Sequence, residues 1–390
     1  MRVAQAPFRL NFRDKRTRGI LYQCVCVASV VVAGLYLFNN VSENLARQSI
    51  ATGFSYLWRE AGFVISQSPI DYQPSDSYAK ALLVGILNTI RVSILASVAA
   101  TIIGTLVGIG RLSSNPLFAR LMLLYVEALR NVPLLLFLFL CYAVIVTILP
   151  PVREALQLLP FVFLSNSGLA VPSIAWSNDH TMIAAAFLFG CGLAYLYARH
   201  LQLRRIESGT DQSNWPLISA IIAIPPLVAW LILRPELDLS LPELGRFRLA
   251  GGAQLTPEFV ALFVGLALSA SANVAEIVRS GILSIRKGQR EAAAALGLRP
   301  SRIMRLVILP QALRVIIPPM TSAYLNVFKN SSLAIAIGYP DVVMVSNTTM
   351  NQTGQAIEPI ALFMLVYLSL SITISLFMNW YNARVALRER

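Results

Sequence analysis

The sequence predicts an all-α polytopic membrane protein with about eight transmembrane helices. Three observations predict it. Of its 390 residues 56% are hydrophobic and only 13% charged, where a soluble domain keeps roughly a quarter of its residues charged. The apolar residues gather into runs near or above the roughly 17–25 residues that a bilayer needs. Lys and Arg outnumber Asp and Glu by 32 to 19, and they sit in short segments beside those runs, as the positive-inside bias predicts. That placement, with no RNA- or DNA-module signature, excludes a nucleic-acid partner.

The first element is the run Ile20–Phe38, preceded by Arg9, Arg13, Lys15, Arg16 and Arg18. About 19 residues make roughly 28 Å of helix, enough to span. The adjoining NNVSENLARQS lacks a small-x-small cleavage site, so a retained anchor is expected rather than a signal peptide. Further spans are expected at Ala81–Gly110, Leu121–Leu149, Thr181–Ala198, Trp215–Leu233, Glu258–Val278, Ala312–Ile337 and Ala361–Tyr381. An even number puts both termini on one side. The basic segments Arg111–Arg120, Arg199–Asn214 (with Arg204 and Arg205) and Arg286–Arg305, and the tail with Arg384, Arg388 and Arg390, make that side cytosolic. Asn39–Lys80, Pro150–His180, Arg234–Pro257 and Gly338–Pro359 then lie outside, the last with no Lys or Arg.

Several elements have a local reading. In Asn39–Lys80, the residues Phe54, Tyr56, Leu57, Trp58, Phe63 and Val64 surround Arg59 and Glu60. They suit either an amphipathic helix at the outer interface or a packed loop. Thr181–Ala198 and Trp215–Leu233 are uniformly apolar and read as lipid-facing packing helices. Gly104 and Gly108 form a GxxxG that allows close helix contact. Cys24, Cys26, Cys141 and Cys191 lie inside apolar runs as small hydrophobes, and His180 and His200 stand apart. No metal or thiol chemistry is indicated.

The stretch GQREAAAALGLRPSRIMRLVILPQALR, Gly288–Arg314, is unusual for a cytosolic connection. Gln289–Leu296 reads as a short helix, with Glu291 near its positive end and Gly297 at the C′ position. Ala292–Ala295 give it a narrow surface that another protein's groove can approach. Pro300 suits the first turn of a second helix, on which Arg299, Arg302 and Arg305 mark one charged face. Pro310, Pro318 and Pro319 are expected to break or kink the next helical stretch. On charge alone this is a solvated basic link; its spacing is that of a formed helix–turn–helix.

Polar groups at membrane depth are costly and need a reason. Glu127 with Arg130, and Glu276 with Arg279, stand three apart and are spaced to pair on a helix face. Either each pair fixes packing or some of these groups line a substrate pathway. Lys329, Asn330, Ser331 and Ser332 interrupt an apolar span, either as pathway residues or as helix breakers.

Glu291-Ala292-Ala293, then Gly297 after three residues and Leu309-Pro310 after eleven more, resemble the EAA loop of ABC importer permeases. Val307 stands where that pattern has Ile. Ser271–Gly281 is similar to the SAYxAEixRgG segment of polar amino-acid permeases, and Tyr125–Leu135 to their YVExxRgtPLL segment, with Asn131-Val132 replacing Gly-Thr. Pro310–Arg314, Pro318-Pro319 and Lys329–Leu333 complete the set. The N-terminal region and residues 151–256 resemble the long permeases of general L-amino-acid importers. On this resemblance residues 1–80 hold the basic tail, first span and periplasmic segment. Residues 81–150 and 257–390 form the core of a type I importer, and 151–256 insert two extra helices.

The resemblance implies a translocating subunit in a bacterial inner membrane, set among lipids, and not an enzyme. Its EAA loop (286–310), through Gln289, Glu291, Ala292, Ala293, Gly297, Leu309 and Pro310, docks on a cytosolic ATPase dimer. A periplasmic binding protein delivers L-amino acids, and a second, related permease completes the pore. The chain has no GxxxxGK[ST] loop, so ATP and magnesium belong to the partner. Two other classes stay open: an ion-gradient-driven carrier, whose matched broken halves are not evident, and a scaffolding subunit, which leaves the formed loop unexplained.

Overall fold

A computed structural model describes residues 15–47, 52–174, 177–208, 214–235, 239–245 and 249–385. Arg9, Arg13, Arg388 and Arg390, named above beside the first and last spans, lie outside the described residues. Twelve α-helices are described: α1 Lys15–Arg47, α2 Tyr78–Gly110, α3 Pro116–Asn131, α4 Leu134–Ala143, α5 Asn178–Ser208, α6 Trp215–Leu233, α7 Pro257–Leu283, α8 Lys287–Ala295, α9 Pro300–Ile303, α10 Leu309–Asn330, α11 Val342–Thr353 and α12 Ile357–Val385. Among the described residues seven helical stretches are long and apolar enough to cross a membrane, or eight if α3 and the stretch Leu134–Ile148 that begins with α4 count together as one broken span.

This helix pair corrects the expectation of a single span over Leu121–Leu149. The chain bends by 105° between α3 and α4. Pro133 lacks an N–H and crowds the residue before it, and Val132 is extended at φ −93°, ψ 128°. Asn115 caps the start of α3, accepting from the amides of Leu117 and Phe118, with Pro116 at the first helical position.

The chain divides into two compact units, residues 92–287 and residues 1–91 with 288–390. In the first, α7 is the central helix. Thr256 caps it and Glu258 stands in its first turn. Its small residues admit neighbours closely: a Cβ on Gly104 would lie 2.6 Å from the Ser271 carbonyl, and one on Gly108 2.6 Å from the Ala275 carbonyl. The GxxxG of α2 is thus a helix-packing seam. Gly104→Leu is expected to cost about 1–3 kcal/mol by overpacking and to lower the thermal midpoint in detergent. Gly34→Leu, with open space around the glycine, should leave the midpoint unchanged.

Small antiparallel sheets flank α5 and α6, an addition to the helical fold in segments that the sequence reading places outside the membrane. Strands β1 Leu156–Leu159, β2 Val162–Ser165 and β3 Gly168–Val171 pair in order, and β8 Ala253–Leu255 joins β3. Two short ladders join β4 Ser173–Ile174 to β5 Leu239–Ser240, and β6 Glu243–Leu244 to β7 Leu249–Ala250. Burial alternates along β2 and β3, the period-2 pattern of a half-buried strand. The chain before α5 therefore pairs with the chain after α6. Between them α5 and α6 cross at Gly190, where a Cβ would lie 2.9 Å from the Ile221 carbonyl.

In the second unit the segment after α1 is a packed loop, which decides between the two readings of Asn39–Lys80. Between α1 and α2 the helical piece among the described residues is the 3₁₀ turn Phe54–Trp58. Tyr56, Ala61 and Ile65 are buried with Tyr78, Ala81, Leu82, Val84 and Val345. The Gly53 amide donates to Glu358 (2.6 Å) and the Tyr78 hydroxyl to Gln352 (2.8 Å), which ties the loop region to the start of α12 and the end of α11. A Cβ on Gly85 would meet the Val342 backbone at 2.9 Å, so α11 begins directly against α2.

Candidate functional site

The stretch 286–310 forms the expected helix–turn–helix, with two differences. The first helix starts at Lys287 rather than Gln289, so Glu291 sits a full turn in from the positive end. Its stop is a complete Schellman motif: Leu298 N–H bonds the Ala293 carbonyl (3.3 Å) and Gly297 N–H the Ala294 carbonyl (2.9 Å). Gly297 has φ +73°, the left-handed conformation that glycine adopts without steric cost.

The second difference concerns Pro310. The expected break is absent, and a π-helical turn at Met304–Ile308 leads directly into α10. Proline cannot donate to the carbonyl four residues back, and a π turn shifts that pairing by one residue. The Gln311 side chain then donates to the Val307 carbonyl (2.9 Å). Pro318 and Pro319 also lie within α10.

The two faces of α8 differ. Ala293 is 5% exposed, whereas Leu296 is 81% exposed. Gly288, Gln289, Glu291, Ala292, Ala294 and Ala295 are exposed. Gly288, Ala292, Ala295 and Leu296 keep helical spacing, so one face is nearly bare backbone with a single protruding leucine at its end. Downstream, Ile303 and Ile308 point inward, while Arg299, Arg302, Arg305, Leu309 and Pro310 are exposed. Such a face admits a partner's groove closely. Sequence reasoning misses Leu296 because the run of alanines carries no sign of which side is covered.

Of the two acid–base pairs, one forms. Glu276 accepts from Arg279 Nη2 (2.5 Å) and Nε (3.3 Å), and also from Arg111, which comes directly after α2. The Glu127–Arg130 pairing is not made: Glu127 accepts instead from the Asn131 side chain (3.2 Å). Between α3 and α7, Tyr125 and Ser271 hydroxyls share a hydrogen bond of 2.6 Å.

Lys329, Ser331 and Ser332 end α10. Ser331 donates to the Phe328 carbonyl and Ser332 to the Lys329 carbonyl, both 2.7 Å, and the chain continues as a 3₁₀ turn, Ser331–Ile337. Lys329 is exposed and Ser331 fully buried. Ser331 faces Tyr367 at 3.5 Å, and the Tyr367 hydroxyl donates to Asp341 (3.3 Å). Asp341 caps α11 by accepting from the Met344 amide (2.8 Å). Thr89 accepts from the Val342 amide (3.1 Å), and Asn88 donates to the carbonyls of Gln67 (2.8 Å) and Pro340 (2.9 Å).

Asp341, Asn88 and Thr89 are fully buried. Burial pushes the Asp341 carboxyl up to about 7, against the pull of the Met344 and Val343 amides and the Tyr367 hydroxyl. Sequence reasoning singles out none of these three residues. A lone Asp before Val-Val-Met is the available sign, since Asp favours the N-cap.

Together these features define a polytopic helical membrane protein with buried polar groups and a formed helix–turn–helix between its late spans. Residues 190–387 match the family described as the binding-protein-dependent transport system inner membrane component. The chain is 45% identical over 384 residues to the general L-amino acid transport system permease protein AapQ of Rhizobium johnstonii, covering 98% of this chain and 96% of that one. It is 44% identical to the putative amino-acid ABC transporter permease protein YhdX of Escherichia coli, covering 98% and 97%. It is 37% identical to the glutamate/glutamine/aspartate/asparagine transport system permease protein BztB of Rhodobacter capsulatus, covering the whole of both chains. The chain belongs to this family of ABC importer permeases, membrane components rather than enzymes. The ion-gradient alternative is not favoured.

Proposed function

We propose that the chain translocates L-amino acids into the cytosol, with α8 as the contact through which a partner ATPase drives it. The observation that carries the reading is the exposed face of Gly288, Ala292, Ala295 and Leu296, held by the Schellman stop at Gly297. Amino acids as cargo are supported by three relatives matched nearly end to end, each a permease for amino acids by its name. Broad specificity among L-amino acids is the reading in keeping with the general L-amino acid permease that the chain matches at 45% identity. A binding protein delivering cargo from outside agrees with the family description.

Gln289, Glu291, Ala292, Gly297, Leu309 and Pro310 form or flank the contact, while Ala293 anchors α8 from its covered side. An ATPase dimer offers two grooves, and one chain supplies one α8. A second permease subunit, related but not identical, is therefore part of the reading, and ATP and magnesium reside on the ATPase. Both termini face the cytosol, in keeping with the Lys and Arg distribution. For the substrate path the candidates are Glu127, Arg130, Glu276, Arg279, Lys329, Ser331 and Ser332, of which Ser331 is fully buried and Glu127, Arg130 and Lys329 are exposed.

The test is a crosslink together with transport. A cysteine at exposed Ala292 is expected to crosslink to the ATPase in the assembled complex, and one at buried Ala293 only weakly. Proteoliposomes holding the complete importer should take up L-amino acids only with ATP and binding protein. Uptake by this chain alone without ATP, or no crosslink from any exposed α8 position, would overturn the reading.

A further inference from the structure

Glu276 is already satisfied within its own helix, because Arg279 gives it two N–H groups. Arg111 brings a second cation to the same carboxylate from the residue after α2, with its side chain only 11% exposed. Charge balance does not require it. Two guanidinium groups on one carboxylate leave a net positive charge, and withdrawing charge from water is unfavourable unless something is gained. What Arg111 adds is a tie between helices.

That tie continues a packed seam. Gly104 and Gly108 set α2 against the Ser271 and Ala275 carbonyls of α7, and Arg111 comes less than a turn later. On the other side Tyr125 holds Ser271, and Val126 is buried with Val107, Ala272 and Ala275. The end of α2, α3 and α7 therefore pack as one body. Beyond Arg279, α7 runs only to Leu283, and α8 starts at Lys287.

We propose that Arg111 is a positioning residue for coupling. Its tie to Glu276 makes the last turns of α7 move together with α2 and α3, so that a push on α8 enters the chain as helix displacement rather than as local bending of α7. The proposal rests on the reading of α8 as the ATPase contact.

It is tested in proteoliposomes carrying the complete importer, by dividing uptake of a radiolabelled L-amino-acid mixture by ATP hydrolysed. Arg111→Gln is expected to lower that ratio about fivefold. Arg111→Lys, which keeps a cation in place, and Arg279→Gln, which leaves Glu276 paired to Arg111, should each stay within about twofold of wild type. A normal ratio in Arg111→Gln, or an equal fall in Arg279→Gln, would overturn the proposal. Should Arg111→Gln fail to assemble, Gly108→Ala pushes α2 off Ala275 and lengthens the tie. It must lower the ratio too, and a normal ratio there also overturns the proposal. A wild-type importer with no ATP-dependent uptake would instead be a failure of the functional reading.

Discussion

Gly297→Val is expected to leave the chain in the membrane and to cut ATP-driven amino-acid uptake by about tenfold, from a strain of roughly 1–2 kcal/mol placed on the left-handed residue. The glycine has open space around it, so no clash contributes; the effect comes from its φ of +73° alone. A β-branched residue is a genuine outlier in that region. Either the Schellman bonds at Ala293 and Ala294 break or α8 loses its last turn, and in both cases Leu296 leaves its place at the end of the exposed face. Binding-protein-stimulated ATPase activity should then persist while uptake falls.

A graded series makes the inference specific. Asn and Asp tolerate the left-handed region better than other side chains, so Gly297→Asn and Gly297→Asp should be milder than Gly297→Val. Glu291→Lys tests charge on the exposed surface without touching the backbone, and is expected to weaken coupling while α8 stays formed. Uptake is measured against the amount of permease in the membrane. Equal, near-normal uptake across the series would remove α8 from the mechanism.

Much of this is legible in the sequence because it obeys local rules. The spans come from apolar run length, the α8 stop from a glycine after an alanine run, and the close-contact face of α2, though not its partner α7, from Gly104 and Gly108. The hidden part depends on long-range pairing. Arg111 and Glu276 are 165 positions apart, and nothing in either neighbourhood names the other. The sheet joining β3 to β8 is hidden for the same reason, although Val162–Ser165 and Gly168–Val171 alternate. The continuity of the chain through Pro310 escapes sequence reasoning for a different reason. Proline penalises an α turn, and the rule does not anticipate that a π turn and the Gln311 side chain will absorb the penalty.

Asp341 leads to the other large effect, a dependence of stability on pH. Burial holds the folded carboxyl at about 7, well above the ordinary aspartate value near 3.9. Between those two values the carboxyl is protonated in the folded state while the unfolded chain has lost its proton. Its contribution is therefore fully present below about pH 4, shrinks as pH rises, and is lost once pH has passed through about 7. Across that interval the change is on the order of 4 kcal/mol. The facing groups do not reverse the sign. Tyr339 is itself pushed upward by burial, with Arg91 pulling it down and Asp341 raising it, and Tyr367 donates to Asp341 through its hydroxyl. Asp341→Asn keeps an oxygen to cap the Met344 amide, since Asn caps as well as Asp, and it removes the titrating group. The variant should lose most of the fall in thermal midpoint that the wild type shows between about pH 5 and 8, and should be the more stable protein at the alkaline end. Thermal unfolding in detergent across that range decides it, because parallel curves for the two proteins would mean that Asp341 carries a charge in the folded state throughout.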